Sequence, residues 1–175
     1  IEIPKDGWLR IRRKWRDEQT ISVSFEFEPV LSSINEGLHF VRRGPLLYAL
    51  PIGERWERRE YVKNGVERKY PYCDYEIFPT TSWNYGFAGS SFRFETYPIW
   101  DMPFQPDKPP VGLYADLAEI EWPYENGHCA LRPKDCKALS PVKSMRLIPY
   151  GCTNLRMTEM PLIRIEKENG EGGMG

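Results

Sequence analysis

No stretch of this chain approaches the ~20 consecutive apolar residues that a membrane-spanning helix needs, and no charged-then-apolar leader stands at its start. A membrane partner is therefore not expected. The chain opens at Ile1 without an initiator Met, which reads as the start of a processed or excised fragment. A basic stripe is missing too. Lys and Arg total 24 against 25 Asp and Glu, for a formal net charge of −1, and they are spread along the chain. Nothing in that balance draws a polyanion, so nucleic acid is not an expected partner. A phosphate-cradling glycine loop, a dinucleotide fingerprint and a serine nucleophile elbow are all absent; Gly170 to Gly175 is a tail.

Cysteine is scarce. Cys73, Cys129, Cys136 and Cys152 are too few and too irregularly spaced for a disulfide scaffold in 175 residues. Isolated thiols are the plain reading, although Cys129 and Cys136 are close enough for a bridge across a loop if the chain is exported. Paired Cys-x-x-Cys ligands are also missing. His128-Cys129, Cys136 and Cys152 accordingly read as a loop histidine and unconnected thiols rather than as a zinc site.

What the chain does have is a globular composition, 41% hydrophobic, 28% charged and 14% aromatic, with 16 prolines and 14 glycines. Such content predicts a real core, many turns and few long helices. Two-residue alternation dominates the opening. Leu9, Ile11 and Trp15 alternate with Arg10, Arg12 and Lys14, and beyond the polar turn Asp17-Glu18-Gln19 the set Ile21, Val23, Phe25 and Phe27 alternates with Ser22, Ser24 and Glu26. This predicts a hairpin of two half-buried strands. Leu38 to Val41 and Leu46 to Leu50 read as strands meeting at Gly44-Pro45, the second apolar enough to be covered on both faces and central.

Farther on, the charged stretch from Glu54 to Arg68 with Asn64-Gly65 reads as a hairpin tip, and Tyr75 to Phe78 as a short strand. Trp83, Tyr85 and Phe87, then Phe92 and Phe94, form an aromatic block in alternation. Five prolines between Tyr97 and Pro110 make that segment a long connection. Val111 to Trp122 fits a strand better than a helix; Asn126-Gly127 marks a loop. Strands are expected at Ser144 to Ile148, Asn154 to Thr158 and Leu162 to Ile165. The sum is an all-β chain with little helix, a β-sandwich of jelly-roll type. Residues 1–165 form the sandwich, with a possible subdivision at 97–110, and residues 166–175 form a disordered tail.

Four segments in order resemble one family. They are Arg43-Gly44-Pro45-Leu46-Leu47-Tyr48-Ala49-Leu50; Gly7 to Trp15 leading into Ile21 to Pro29; Trp83-Asn84-Tyr85-Gly86-Phe87; and Arg146 to Pro161. Together they are similar to the accessory β-sandwich that follows the catalytic barrel of bacterial β-L-arabinofuranosidase-like glycosidases, glycoside hydrolase family 127. The similarity reaches to about Ile165. It implies a non-catalytic accessory domain whose partner is an upstream catalytic α/α-barrel, in the bacterial cytoplasm or periplasm. The family is zinc-dependent and places its catalytic acid, cysteine nucleophile and zinc-binding cysteines in that barrel. No segment here matches the barrel, so the resemblance assigns no catalytic residue, cofactor or metal ligand to this chain.

Independent glycoside hydrolysis would need two suitably spaced carboxyl groups. Glu26, Glu28, Asp74, Glu76, Asp116, Glu119, Glu121 and Glu159 are available, and most occupy alternating polar positions that read as solvated faces. Glycan binding is the stronger alternative, because jelly rolls include lectin-like domains and aromatic rings offer flat apolar faces with a polar handle. Trp56, Trp83, Tyr85 and Trp100 are the candidate contacts, to a plant-derived glycan or to the barrel. Trp83 and Tyr85 read more readily as core or interdomain residues than as glycan contacts, since buried aromatics dominate such cores. Trp56, flanked by Glu54, Arg55, Glu57 and Arg58, is expected to be exposed. The barrel-facing surface is expected at the block Trp83 to Phe94 together with residues 97–110.

Overall fold

Short alternating segments separated by glycine and proline can bury an apolar face only by pairing into a sheet, and the fold is built that way. In a computed structural model the described residues are Trp8, residues 10–34 and residues 37–164. Among them the chain is all-β, with no helix of seven residues or more. The strands in chain order are β1 (Pro29–Ser33), β2 (Leu38–Arg43), β3 (Leu46–Pro51), β4 (Glu54–Arg59), β5 (Tyr61–Lys63), β6 (Val66–Arg68) and β7 (Asp74–Pro79). There follow β8 (Tyr85–Thr96), β9 (Val111–Glu119), β10 (Tyr124–Glu125), β11 (His128–Cys129), β12 (Lys143–Pro149), β13 (Arg156–Met157) and β14 (Met160–Pro161).

The main sheet runs β1-β2-β3-β12-β9-β8, antiparallel throughout, and curls nearly closed in the manner of a sandwich or barrel. β4 pairs with β7, and the β5–β6 hairpin forms the tip of that ribbon. Asn64 and Gly65 both have positive φ there, at 52° and 75°, as a two-residue hairpin turn requires. Gly44 turns β2 into β3 at φ 56°.

Tyr48, Ala49 and Leu50 are buried in succession, as are Leu147, Ile148 and Pro149, so the sheet is covered on both faces where β3 meets β12. The apolar run before Pro51 is thus central, as its composition predicts. Val41, Tyr48, Leu50, Phe87, Leu113, Leu117, Leu147 and Met160 pack as one cluster.

Closure comes from the end of the chain. β13 pairs with the end of β3, Met157 opposite Leu50, and β14 pairs with the start of β2, Met160 opposite His39. Leu162 then bridges Phe87 in parallel, and the Ile163 amide donates to the Phe87 carbonyl at 2.9 Å. The segment therefore crosses the open end of the β2–β3 hairpin and ties it to β8.

Two expectations need correction. Residues 10–28 form no strand, and the predicted hairpin over Leu9 to Trp15 and Ile21 to Phe27 is not made among the described residues; Leu9 lies outside them. Alternation tells which side chains share a face, but a pair of strands holds together only when a further layer covers that face. Here Val23 and Phe25 are 63% and 73% exposed. The second correction concerns the aromatic block. Phe87 is fully buried, and Phe92 and Phe94 pack on the core cluster, with the Arg43 guanidinium 3.7 Å from the Phe94 ring centroid. Phe87, Phe92 and Phe94 of the block belong to the core, Trp83 is half-buried, and Ile99, Trp100, Met102 and Phe104 of the proline-rich connection are exposed. That connection joins β8 to β9, which are neighbours in one sheet. Ile165 and the expected tail at 166–175 lie outside the described residues.

A Cβ at Gly86 would sit 2.5 Å from Ile163 Cγ2 and 3.0 Å from the Pro161 carbonyl oxygen. Gly86→Ala is expected to cost about 1–3 kcal/mol, because backbone has to move to accept it. Urea unfolding of the variant measures this; unchanged stability would show that the closing segment does not hold against β8.

Candidate functional site

β10 and β11 form a tight hairpin through Asn126 and Gly127, at φ 52° and 83°. Tyr124 and Cys129 are paired across it and share a face. Trp122, just before the hairpin, is buried and donates its indole N–H to the Ala130 carbonyl at 2.8 Å. The Tyr124 hydroxyl donates to the Gly127 carbonyl at 2.7 Å. Two rings are thereby fixed, and Trp83 leans on both. Its centroid lies 5.8 Å from that of Trp122 and 6.2 Å from that of Tyr124, in edge-on or tilted arrangements. Trp83 and Tyr124 line a concavity of about 280 Å³ whose other walls include Ile52, Ile77, Leu155 and Met157.

The β4–β7 ribbon borders this concavity. Trp56 is paired with Ile77, and Glu54 with Pro79, so Trp56 lies on the ribbon face that carries Ile77 and Pro79 into the concavity wall. The Trp56 ring is 50% exposed and meets Tyr75 edge-on at 5.8 Å. Glu54 organises the junction. Its carboxylate accepts the Trp56 indole N–H at 2.9 Å and the backbone amides of Asn154 and Leu155 at 2.9 and 2.7 Å. Burial alone would raise its pKa, but these donors together hold the carboxyl below its ordinary value. One side chain thus joins the ribbon, the exposed indole and the loop that supplies Leu155.

Of the four aromatic candidates, the structure brings Trp83 into the concavity and Trp56 onto the face that leads to it. Tyr85 is elsewhere: it packs on the core cluster and donates its hydroxyl to Glu119 at 3.1 Å. Burial, and then Glu119, push its pKa up. Trp100 lies in the proline-rich connection, 50% exposed, with Lys108 Nζ 4.3 Å from its ring centroid. Sequence reasoning missed Trp122 and Tyr124. The Asn126-Gly127 turn was the signal that could have found them, because a two-residue turn sets the flanking side chains side by side.

The other candidates are dispersed. Asp116, Glu121 and Glu159 are exposed, as are Glu26 and Glu28 on the unpaired segment. Asp74 accepts the Tyr61 hydroxyl and Glu76 pairs with Arg59. All four cysteines are free. The buried Cys136 thiol donates to the Pro133 carbonyl and the buried Cys152 thiol to the Pro103 carbonyl, while Cys129 is exposed. The bridge open between Cys129 and Cys136 is not formed. Among the described residues no group of three His, Cys, Asp or Glu side chains is placed to hold a metal ion. Compared with known families, curated proteins and solved structures, the chain matches none.

Two outcomes follow from this geometry. Glu54 is held below its ordinary pKa of 4.5, so its contribution to stability is complete above that value and is lost as pH falls through the lower folded-state pKa. Glu54→Gln is therefore expected to destabilise the chain near neutrality, with the gap to the parent closing in acid; denaturation midpoints across pH check this, and a gap that widens in acid would contradict it. In thiol labelling of the folded chain, Cys129 is expected to react promptly and Cys136 and Cys152 only on unfolding. Prompt reaction of all four would place the buried thiols wrongly.

Proposed function

We propose that this chain is a non-catalytic accessory β-sandwich of a bacterial glycoside hydrolase similar to the β-L-arabinofuranosidases, and that it works by packing against an upstream catalytic α/α-barrel and stabilising it. The observation that carries the reading is an apolar stripe that outruns its own sheet. Leu31 of β1 packs on the core cluster. Phe27, Phe25, Val23 and Ile21 have the same parity in the same extended chain, and all four are exposed. The Phe25 and Phe27 rings stack at 6.0 Å with a 9° interplanar angle, as side chains two apart on one face do. Phe27 lies against Gly44 at the β2–β3 turn, where the sheet ends. The face that feeds the core thus continues past the last strand that covers it among the described residues.

Burying such side chains is worth about 1.5–3 kcal/mol each, so a second body that covers the stripe gains several kcal/mol from it. Ile99, Trp100, Met102 and Phe104 on the proline-rich connection are a further set of exposed apolar side chains. The resemblance supplies the identity of the partner.

A second reading, an autonomous carbohydrate-binding module, is favoured by Trp83: a half-buried indole braced by two fixed rings at the wall of a concavity is a ready platform for a sugar face.

The test is co-expression of the chain with the polypeptide encoded upstream of it. Val23→Asp combined with Phe25→Asp is expected to leave the melting of the isolated chain almost unchanged, because neither side chain is in the core, and to weaken co-purification of the two parts at least tenfold. Co-purification that survives both substitutions would count against packing through this stripe. Titration with plant arabinans followed by tryptophan fluorescence tests the second reading, which expects saturable binding that Trp83→Ala removes.

A further inference from the structure

The ribbon built from β4, β5, β6 and β7 is crowded with charge, and most of that charge is balanced internally. Glu57 pairs with Arg55 and Arg59, Glu60 with Arg58, Glu67 with Lys69, and Glu76 with Arg59. Glu54 accepts the Asn154 and Leu155 amides, and Asp74 Oδ2 accepts the Tyr61 hydroxyl at 2.7 Å. Every acid of the ribbon is therefore engaged. Two cations are left over: among the described residues Lys63 and Arg68 make no ion pair and no hydrogen bond.

The fold sets those two on one face. Tyr61 is paired with Arg68 and Lys63 with Val66, so all four side chains share a face of the β5–β6 hairpin, and Lys63 and Arg68 are diagonal neighbours about 7–8 Å apart. The two-residue turn at Asn64 and Gly65 fixes that register. Tyr72 comes from the next turn, where its amide donates to the Lys69 carbonyl at 2.8 Å. Its ring is 81% exposed and, among the described residues, meets no other ring and no cation. Tyr61, Lys63, Asn64, Arg68, Tyr72 and Asp74 together line a concavity of about 390 Å³, within the ~300–1,000 Å³ typical of ligand pockets.

Three kinds of group thus share one concavity: two unbalanced cations, an exposed ring face, and hydroxyl partners in the Asn64 amide and the Asp74 carboxylate. A uronic acid carries the complement of all three on one rigid ring, as a carboxylate, an apolar C–H face and hydroxyls. Inorganic phosphate would use the cations alone. An acidic peptide would bring no hydroxyls to Asp74, and its further carboxylates would meet Asp74 and Glu67. We propose that this concavity binds a uronic-acid unit of an acidic glycan, its carboxylate between Arg68 and Lys63 and its ring against Tyr72. Arg68 offers the carboxylate two parallel N–H bonds, and Lys63 adds a point charge. No residue lining this concavity also lines the one at Trp83, so the site stands or falls separately from both readings above.

The experiment follows the backbone amide NMR shifts of the full chain during titration with galacturonic acid and its di- and trisaccharide, their methyl esters, the matching neutral galacto-oligosaccharides, inorganic phosphate and tetraglutamate. The acidic sugars are expected to give saturable shifts centred on residues 61–74, and to bind at least tenfold more tightly than the esters and neutral sugars, which keep the ring and lack the charge. Phosphate and tetraglutamate are expected to bind at least tenfold more weakly than the acidic trisaccharide. Lys63→Gln combined with Arg68→Gln, at exposed positions outside the core, is expected to erase the preference for acid over ester. Tyr72→Ala is expected to weaken the acidic sugars at least threefold and to leave phosphate unchanged, with the melting temperature of each variant at that of the parent. The ester comparison needs no variant and decides the charge requirement by itself. Phosphate or tetraglutamate binding as tightly as the trisaccharide would overturn the uronic acid as the ligand, as would indifference to Tyr72→Ala. Shifts centred instead on Trp83 and Tyr124 would overturn this site and support the glycan reading there. No saturable shift at residues 61–74 with any acidic sugar would overturn the proposal outright.

Discussion

The crossing of the open end of the β2–β3 hairpin by residues 156–163 is the constraint on which the rest of the molecule depends. β2 and β3 diverge after Val41 and Tyr48, and each is left with an unpaired end. Met157 caps one and Met160 the other, and Ile163 then bonds to β8. Met160 is fully buried and belongs to the core cluster, so the closing segment supplies core as well as hydrogen bonds. Gly86 is required because the crossing passes too close to β8 for any side chain there. A curled antiparallel sheet is thereby closed by a few residues of irregular strand instead of a full partner strand.

The same segment walls the candidate site. Leu155 and Met157 wall the Trp83 concavity, and Arg156, Met157, Thr158 and Glu159 line a second concavity of about 530 Å³. Glu54 fastens the start of the segment to the ribbon by accepting the Asn154 and Leu155 amides while also holding Trp56. Fold closure and the candidate binding surface are therefore one piece of chain, and the carboxylate of Glu54 connects them. At the opposite boundary, near Gly44, the apolar stripe from Ile21 to Phe27 runs past the sheet and is exposed among the described residues, and it is the surface on which the proposed partner would pack.

Much of this was legible in the residues. The run from Leu46 to Leu50 announced a two-sided strand because a half-exposed strand would need polar residues at alternate positions, and it has none. Gly44-Pro45, Asn64-Gly65 and Asn126-Gly127 fixed their turns through the positive φ that glycine and asparagine tolerate. What failed was inference about partners. The alternation in residues 10–28 is as regular as that in β9, yet among the described residues β9 lies between two strands and the N-terminal segment pairs with none. Trp83 could be read as core or surface, because which side of a concavity an indole faces depends on Trp122 and Tyr124, some forty residues away in sequence. The separation of Trp56 from Trp100 was invisible for the same reason.

The central claim is that this chain covers its apolar stripe with another body. The residues just ahead of the stripe, Arg10, Arg12, Arg13, Lys14 and Arg16, are exposed cleavage sites for trypsin. Limited proteolysis of the isolated chain beside the protein that includes the upstream polypeptide, followed by mass spectrometry of the first cuts, compares the two states directly. The account expects rapid cleavage between Arg10 and Arg16 in the isolated chain and strong protection there when the upstream part is present. Equal cleavage in both, with the upstream part shown to be folded, would contradict it.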